Sequence, residues 1–260
     1  MESKFIFMTV AIIAIFSLIF SGCVENNSNT EKISVLVTVV PQIELVSNIG
    51  GDYVDVTVMV PTGESPHSFE PTPNQMIKVA KASAYFKVGS GVEFELTYMN
   101  TILEQNSDLI VYDCSREVDV VSFDEHFGQK DYSTDEDMDH NHSGTDPHIW
   151  ASPVNFKKMA EVVYDGLIEI DPTHQDHYYE NYQSYISKLD SLHDNLSSML
   201  QPYEGKSFMV YHPAWGYFAD EYGLEQIAIE QSGKEPTAQE LQHIIEEAKE
   251  EEIKVIHQNA

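Results

Sequence analysis

Thr173–Gln201, reading THQDHYYENYQSYISKLDSLHDNLSSMLQ, runs without a single glycine or proline. Tyr178, Tyr182, Tyr185, Ile186, Leu189, Leu192, Leu196 and Leu200 recur along it at three- and four-residue intervals, so one face is apolar and the other wet. At about 1.5 Å per residue an unbroken helix over this span reaches roughly 40 Å, more than one ordinary domain is wide. Such a helix suits a strut between two bodies, and what lies on either side decides whether two bodies exist.

Upstream, β-branched Ile33–Val40 ends at Pro41, after which Ile43, Leu45, Val46 and Ile49 keep helical spacing up to Gly50-Gly51. Tyr53–Val60 reads as the next strand. A helix then starts at Thr72 as cap and Pro73 as first turn, with Met76, Val79, Ala80 and Ala82 on its inner face. Ala84–Val88 is strand-like, Glu93–Gln105 helical and Leu109–Tyr112 a buried strand. Pro153 opens a helix through Phe156, Met159, Val162, Val163 and Leu167 to about Ile170. Downstream of the strut the rhythm returns, with strands at Ser207–Tyr211 and Glu225–Glu230, an acidic amphipathic helix at Thr237–Glu252, and a strand over Ile253–His257. Short apolar strands alternating with helices are the pattern of parallel sheets covered on both faces. The expectation is an α/β protein of two lobes, each a parallel sheet covered by helices, joined by one long rigid helix. Residues 33–171 are the first lobe, 172–202 the link and 203–260 the second lobe. That last strand has no covering helix after it, so the second lobe reads as truncated.

The 260 residues carry 43 acidic against 14 basic side chains, a formal charge of −29, which speaks against nucleic acid and leaves a cation as a plausible partner. Phe5–Phe20 is almost wholly apolar, follows Lys4 and precedes Ser21-Gly22-Cys23. That arrangement reads as a lipoprotein signal over residues 1–23 with Cys23 as the lipidated residue; an uncleaved anchor is the alternative. A polar tether, residues 24–32, follows. The second cysteine, Cys114, is expected to be a buried small hydrophobe.

Between Ser115 and Asp146 ten acidic and two basic residues show no periodicity, so this segment is one long excursion. It contains His140 and His142, which a mobile loop could offer as an accessory metal site. Three other histidines sit where a strand or loop gives way to a helix, each next to proline: His67 in Pro66-His67-Ser68-Phe69-Glu70-Pro71, His148 in Asp146-Pro147-His148-Ile149-Trp150, and His212 in Tyr211-His212-Pro213-Ala214-Trp215. In open α/β sheets ligands bind at the carboxyl ends of strands, where such turns lie. A neutral imidazole is a borderline-soft donor, and a neighbouring carboxylate can hold its second nitrogen. The remaining histidines, four of them on predicted helices, are expected on exposed faces, and the tyrosines of the strut are expected to pack between the lobes.

These three blocks, with Gly216-Tyr217-Phe218 after the third and Lys234-Glu235-Pro236-Thr237 beyond it, resemble those of the zinc and manganese solute-binding lipoproteins of ABC importers, over about residues 31–260. The resemblance implies His67 and His148 as metal ligands from the first lobe and His212 from the second. Manganese-type members carry a carboxylate at the third position, so histidine there favours Zn2+ over Mn2+ or Fe2+. Some relatives have a glutamate before the first histidine, where this chain has Pro66. The fourth ligand is then water, or a carboxylate from residues after Ala260. The resemblance also implies an extracytoplasmic monomer, held by its lipid to the outer face of the cytoplasmic membrane, that hands metal to a permease. Two readings from other classes compete: an adhesin-like surface protein, a label some relatives carry, and a zinc hydrolase, since three histidines with an open position also describe catalytic zinc. No His-Glu-x-x-His stretch supports the second.

Overall fold

Strand β1 (Ile33–Val37) is the centre of the first sheet, and its last three residues, Val35, Leu36 and Val37, are wholly buried. A strand sealed on both faces needs helices above and below, as in parallel sheets. The structure, a computed structural model, describes residues 32–122, 144–230 and 236–253, and the backbone alone of 256–257. The expected signal segment 1–23 with Cys23, the expected tether up to residue 31, and His140 and His142 fall outside the described residues. Among those described, no helix is long and apolar enough to cross a membrane.

Strand β1 pairs in parallel with β2 (Val54–Val58) on one side and β3 (Ala84–Lys87) on the other, and β3 pairs with β4 (Ile110–Asp113), giving the order β2-β1-β3-β4. Strand β4 therefore lies at the edge. Ile110 is 41% exposed there, which corrects the expectation of a fully buried strand. Helix α1 (Pro41–Gly50) buries Gln42, Leu45, Val46 and Ile49, the spacing of one helical face. It stops at Gly51, whose φ of 57° and ψ of −133° are open to glycine but not to other residues; a Cβ there would also lie 2.8 Å from His177 Nε2. Helix α2 (Pro73–Val79) starts with the capping box of Thr72 and Gln75, and α3 (Glu93–Gln105) follows β3. Helix α4 (Pro153–Ile170) is capped by Ser152. A single turn, Pro172–His174, separates it from α5 (Gln175–Leu200), whose 26 residues give about 39 Å of helix.

The tyrosines of α5 do not pack between lobes as expected. They face the first one: Tyr178 and Tyr185 are buried in its core, Tyr185 donates to Glu44 of α1, and Tyr182 stacks on Tyr164 of α4 at 4.7 Å, while Tyr179 stays exposed. Helices α4 and α5 meet along their length, so the apolar stripe that suggested a strut is spent largely on the first sheet's helices.

The second sheet holds β5 (Ser207–Val210), β6 (Glu225–Ala228) and β7 (Ile256–His257) in the order β6-β5-β7, all parallel. Helix α7 (Ala238–Glu250) begins with a second capping box, Thr237 with Glu240. Between β5 and β6 lies a helix the periodicity did not reveal, α6 (Gly216–Tyr222), ended by Gly223 in the left-handed conformation. Seven residues make too few turns for a periodic signal, and its N-cap residue, Trp215, is not one of the usual capping types.

Candidate metal centre

His67, His148 and His212 come together. One ring nitrogen from each lies within 4.8 Å of the other two, and Nε2 of His148 is 3.3 Å from Nε2 of His212. Each arrives on a short turn built by its neighbours. The turn around His67 closes with Phe69 N–H donating to Ser65 O, and Phe94 N–H donates to Pro66 O, which ties the turn to the start of α3. Thr145 Oγ–H and Ser90 Oγ–H donate to Ser90 O and Pro147 O respectively, both at 2.6 Å, so the segment before His148 is stitched to the loop after β3. His212 follows β5, where Ala214 N–H donates back to His212 O and Glu230 N–H to Tyr211 O.

Every one of the three imidazoles meets a carboxylate through Nδ1. His67 Nδ1 lies 2.7 Å from Glu93 Oε2, His148 Nδ1 2.8 Å from Asp146 Oδ1, and His212 Nδ1 3.3 Å from Glu230 Oε2. Asp146 Oδ1 also accepts the backbone N–H of His148, and both residues are buried. A ring that gives its Nδ1 proton to a carboxylate presents a lone pair at Nε2. Two nitrogens bound at about 2.0–2.1 Å in a tetrahedral site are roughly 3.3–3.4 Å apart, which the His148–His212 separation meets. The three donors thus form three corners of a site for one small, borderline-soft cation, with Trp150 edge-on to His148 at 5.2 Å as an apolar wall.

The protons are distributed unevenly. The hydrogen bond to Glu93 raises the His67 pKa, outweighing burial, and Glu93 is held below the usual carboxylate range because His67 prevails over its own burial. Burial lowers the His212 pKa, helped by the charge of His148 and His67 and opposed by Glu230. Three imidazoles this close cannot all be cations, and a divalent ion does electrostatically what three protons cannot.

Glu93 and Glu230 carry no signal in the sequence beyond lying at the first turn of one helix and just past the end of one strand. Their roles emerge only once the chain is folded, since Glu93 lies 26 positions after His67 and Glu230 18 positions after His212. Replacing Glu93 with glutamine is expected to weaken zinc binding about tenfold at pH 7.5, since removing the partner of a ligating histidine typically costs that much. The loss shrinks toward pH 6, because His67 then competes less well for protons; an equal loss at both values, read by calorimetry, would contradict this.

The histidines expected on exposed helix faces are half-buried and occupied. His174 stacks on Tyr53 at 3.8 Å and meets Asp171, Asn181 Nδ2 donates to His177 Nε2, His193 lies near Glu221, and His243 is half-buried on α7. Cys114 is buried as expected, and burial drives its thiol pKa far up.

The chain is similar to known proteins of metal uptake. The family described as zinc-uptake complex component A, periplasmic (ZnuA), matches residues 35–260. The manganese-binding lipoprotein MntA of Halalkalibacterium halodurans is 26% identical over 94% of this chain and 78% of its own length. The high-affinity zinc uptake system protein ZnuA of Bacillus subtilis is 29% identical over 89% and 72%. A crystal structure of a ZnuA deletion mutant with zinc bound superposes with a TM-score of 0.76 at 32% identity, covering 88% of this chain and 81% of that one.

Proposed function

This chain belongs to the ZnuA family of zinc-uptake components, and we propose that it holds one Zn2+ on Nε2 of His67, His148 and His212 between its two lobes. It is the solute-binding component of an ABC importer, a receptor and not an enzyme, and it works outside the cytoplasm. The observation that carries the ligand assignment is the threefold pairing of Nδ1 with carboxylate, which leaves a lone pair at Nε2 of each ring in a cluster where one ring nitrogen from each lies within 4.8 Å of the other two. On this reading residues 33–171 form the lobe with His67 and His148, 172–202 link the lobes, and 203–260 carry His212. The fourth position is left to water or a further carboxylate. A lipid on Cys23 holds the monomer to the outer face of the membrane, where the permease collects the ion. The MntA relative is named for manganese, yet an all-imidazole donor set suits zinc better than the harder Mn2+.

Calorimetric titration of the purified protein with zinc, beside H67A, H148A and H212A, tests the assignment. One site per chain, weakened in each variant, is expected; unchanged affinity in all three overturns it.

Affinity must also fall with acidification. The metal-free site binds more protons than the loaded one, so zinc binding releases protons and lower pH favours the empty form. His67, its pKa raised by Glu93, protonates first, so the loss begins above the ordinary imidazole value of about 6.5. His212, lowered by burial, joins later. The affinity is expected to drop by roughly tenfold per pH unit at first and more steeply below pH 6. A flat profile between pH 7.5 and 5.5 would refute the role of the imidazoles.

A further inference from the structure

The contacts that aim the three ligands so far stay within one lobe. Tyr217 crosses between them. It sits on α6, which opens four residues after His212, yet its side chain is 5% exposed and belongs to the same core cluster as Val35, Phe86 and Ile149 of the first lobe. Among the described residues it is the one member of that cluster that comes after α5 in the chain.

Its hydroxyl makes two bonds there. It accepts the backbone N–H of Val121 at 3.1 Å and donates to the carbonyl of Asp146 at 3.0 Å. Val121 and Asp146 face each other across the neck of the acidic excursion: Asp146 N–H donates to Val121 O at 2.9 Å, and Ser122 and Thr145 form an antiparallel bridge one step further out. Asp146 is the residue whose carboxylate holds both the backbone and the ring of His148. One oxygen from the second lobe therefore grips the backbone of the residue that aims a first-lobe ligand. Ser152 to Glu221 at 3.4 Å and Nε2 of His148 to Nε2 of His212 at 3.3 Å also cross between the lobes, both longer, and His193 on the linking helix lies 3.5 Å from Glu221.

We propose that Tyr217 is a positioning residue that fixes the His148 segment against the His212 segment, and so sets how long a bound cation stays. This rests on the ligand assignment above. With the hydroxyl present, separating Nε2 of His148 from Nε2 of His212 requires breaking two hydrogen bonds at the neck, one buried and one part-buried. Without it, Val121 N–H and Asp146 C=O each lose a partner, and the join between the two ligand segments is weakened at the neck.

The test is Tyr217→Phe, which keeps the ring in the core and removes only the oxygen. Zinc release into excess chelator is expected to be about tenfold faster, with the association rate within twofold of wild type and the far-ultraviolet circular dichroism unchanged. A purely structural hydroxyl would lower the melting temperature of the metal-free protein and leave the release rate alone, which overturns the proposal. A cycle with Asp146→Asn separates the routes. If Tyr217 acts through Asp146, Y217F in the D146N background adds little, whereas fully additive losses count against it. Should Y217F fail to fold, Val121→Pro removes the same N–H donor from the other side and is read by the same release rate. Unchanged release in Y217F while H148A loses zinc refutes this inference and leaves the receptor reading standing; unchanged zinc affinity in all three histidine variants refutes both.

Discussion

Alanine at position 148 is expected to lower zinc affinity by at least a hundredfold, more than alanine at 67 or 212. All three remove one of three imidazole donors, so each loses a metal–nitrogen bond. The difference lies in what remains. His148 is 3% exposed and its partner Asp146 wholly buried, and Asp146 Oδ1 receives both the ring and the backbone N–H of His148. Without the ring, a buried carboxylate keeps a single donor from that residue and no cation beyond it, a costly state. His67 and His212 pair with Glu93 and Glu230, which are less buried, so water can serve those carboxylates once the ring is gone. The measurement is competition against a chelator of known strength for all three variants. An H148A variant that binds zinc as well as H67A or H212A would show that burial of the Asp146–His148 pair contributes nothing to the site.

The largest stability effect is expected at Gly89. This residue follows β3 with a φ of 88°, a region that side-chain-bearing residues enter at a cost of about 1 kcal/mol or more. A Cβ there would fall 1.8 Å from Asp113 Oδ1 and 2.7 Å from Ser115 Oγ. Asp113 cannot simply step aside, since it binds Lys87 Nζ at 2.7 Å and accepts from Ser115 N–H and Oγ–H. Those bonds, working against its burial, hold its pKa below the usual carboxylate range. Gly89 N–H is also committed, to Glu95 Oε2. Gly89→Ala therefore meets an unfavourable backbone and a fixed wall together, and about 2–4 kcal/mol of destabilisation is expected from denaturant unfolding. Zinc affinity should fall as well, because the next residue, Ser90, anchors Thr145 and Pro147 on the way to His148. A midpoint within error of wild type would disprove this account.

The two effects also mark how far residues could be read before folding. Strand and helix order was legible almost throughout the described residues, because most strands are short, apolar stretches with a proline or glycine close by. The three histidines were legible because each occupies a strand-to-helix turn next to proline. Asp146 stands two residues before His148 in the same block. Glu93 and Glu230 were not legible as partners, since a carboxylate on a helix or strand end looks like any other charge until the turn it faces is in place. Tyr217 was hidden for a related reason. It lies on a seven-residue helix too short to advertise itself, and its two partners are backbone groups, which have no residue type to recognise. The tyrosines of α5 misled because periodicity shows that a face is covered without showing by what.

On the proposed ligand assignment, the pairing of each histidine with an acid also governs which ions are turned away. Calcium and magnesium are abundant and seek oxygen, and a protein of formal charge −29 is rich in it. Yet Glu93, Asp146 and Glu230 stand behind the imidazoles with an oxygen turned to a ring nitrogen, so an ion at the meeting point touches nitrogen first. The three acids lend the pocket negative potential at a distance but no hard donors at contact. On that assignment, hard cations are drawn toward the cleft by the same field as zinc but meet imidazole nitrogens ahead of these three acids, so the acids act as a lure for divalent ions and the rings favour the softer ones.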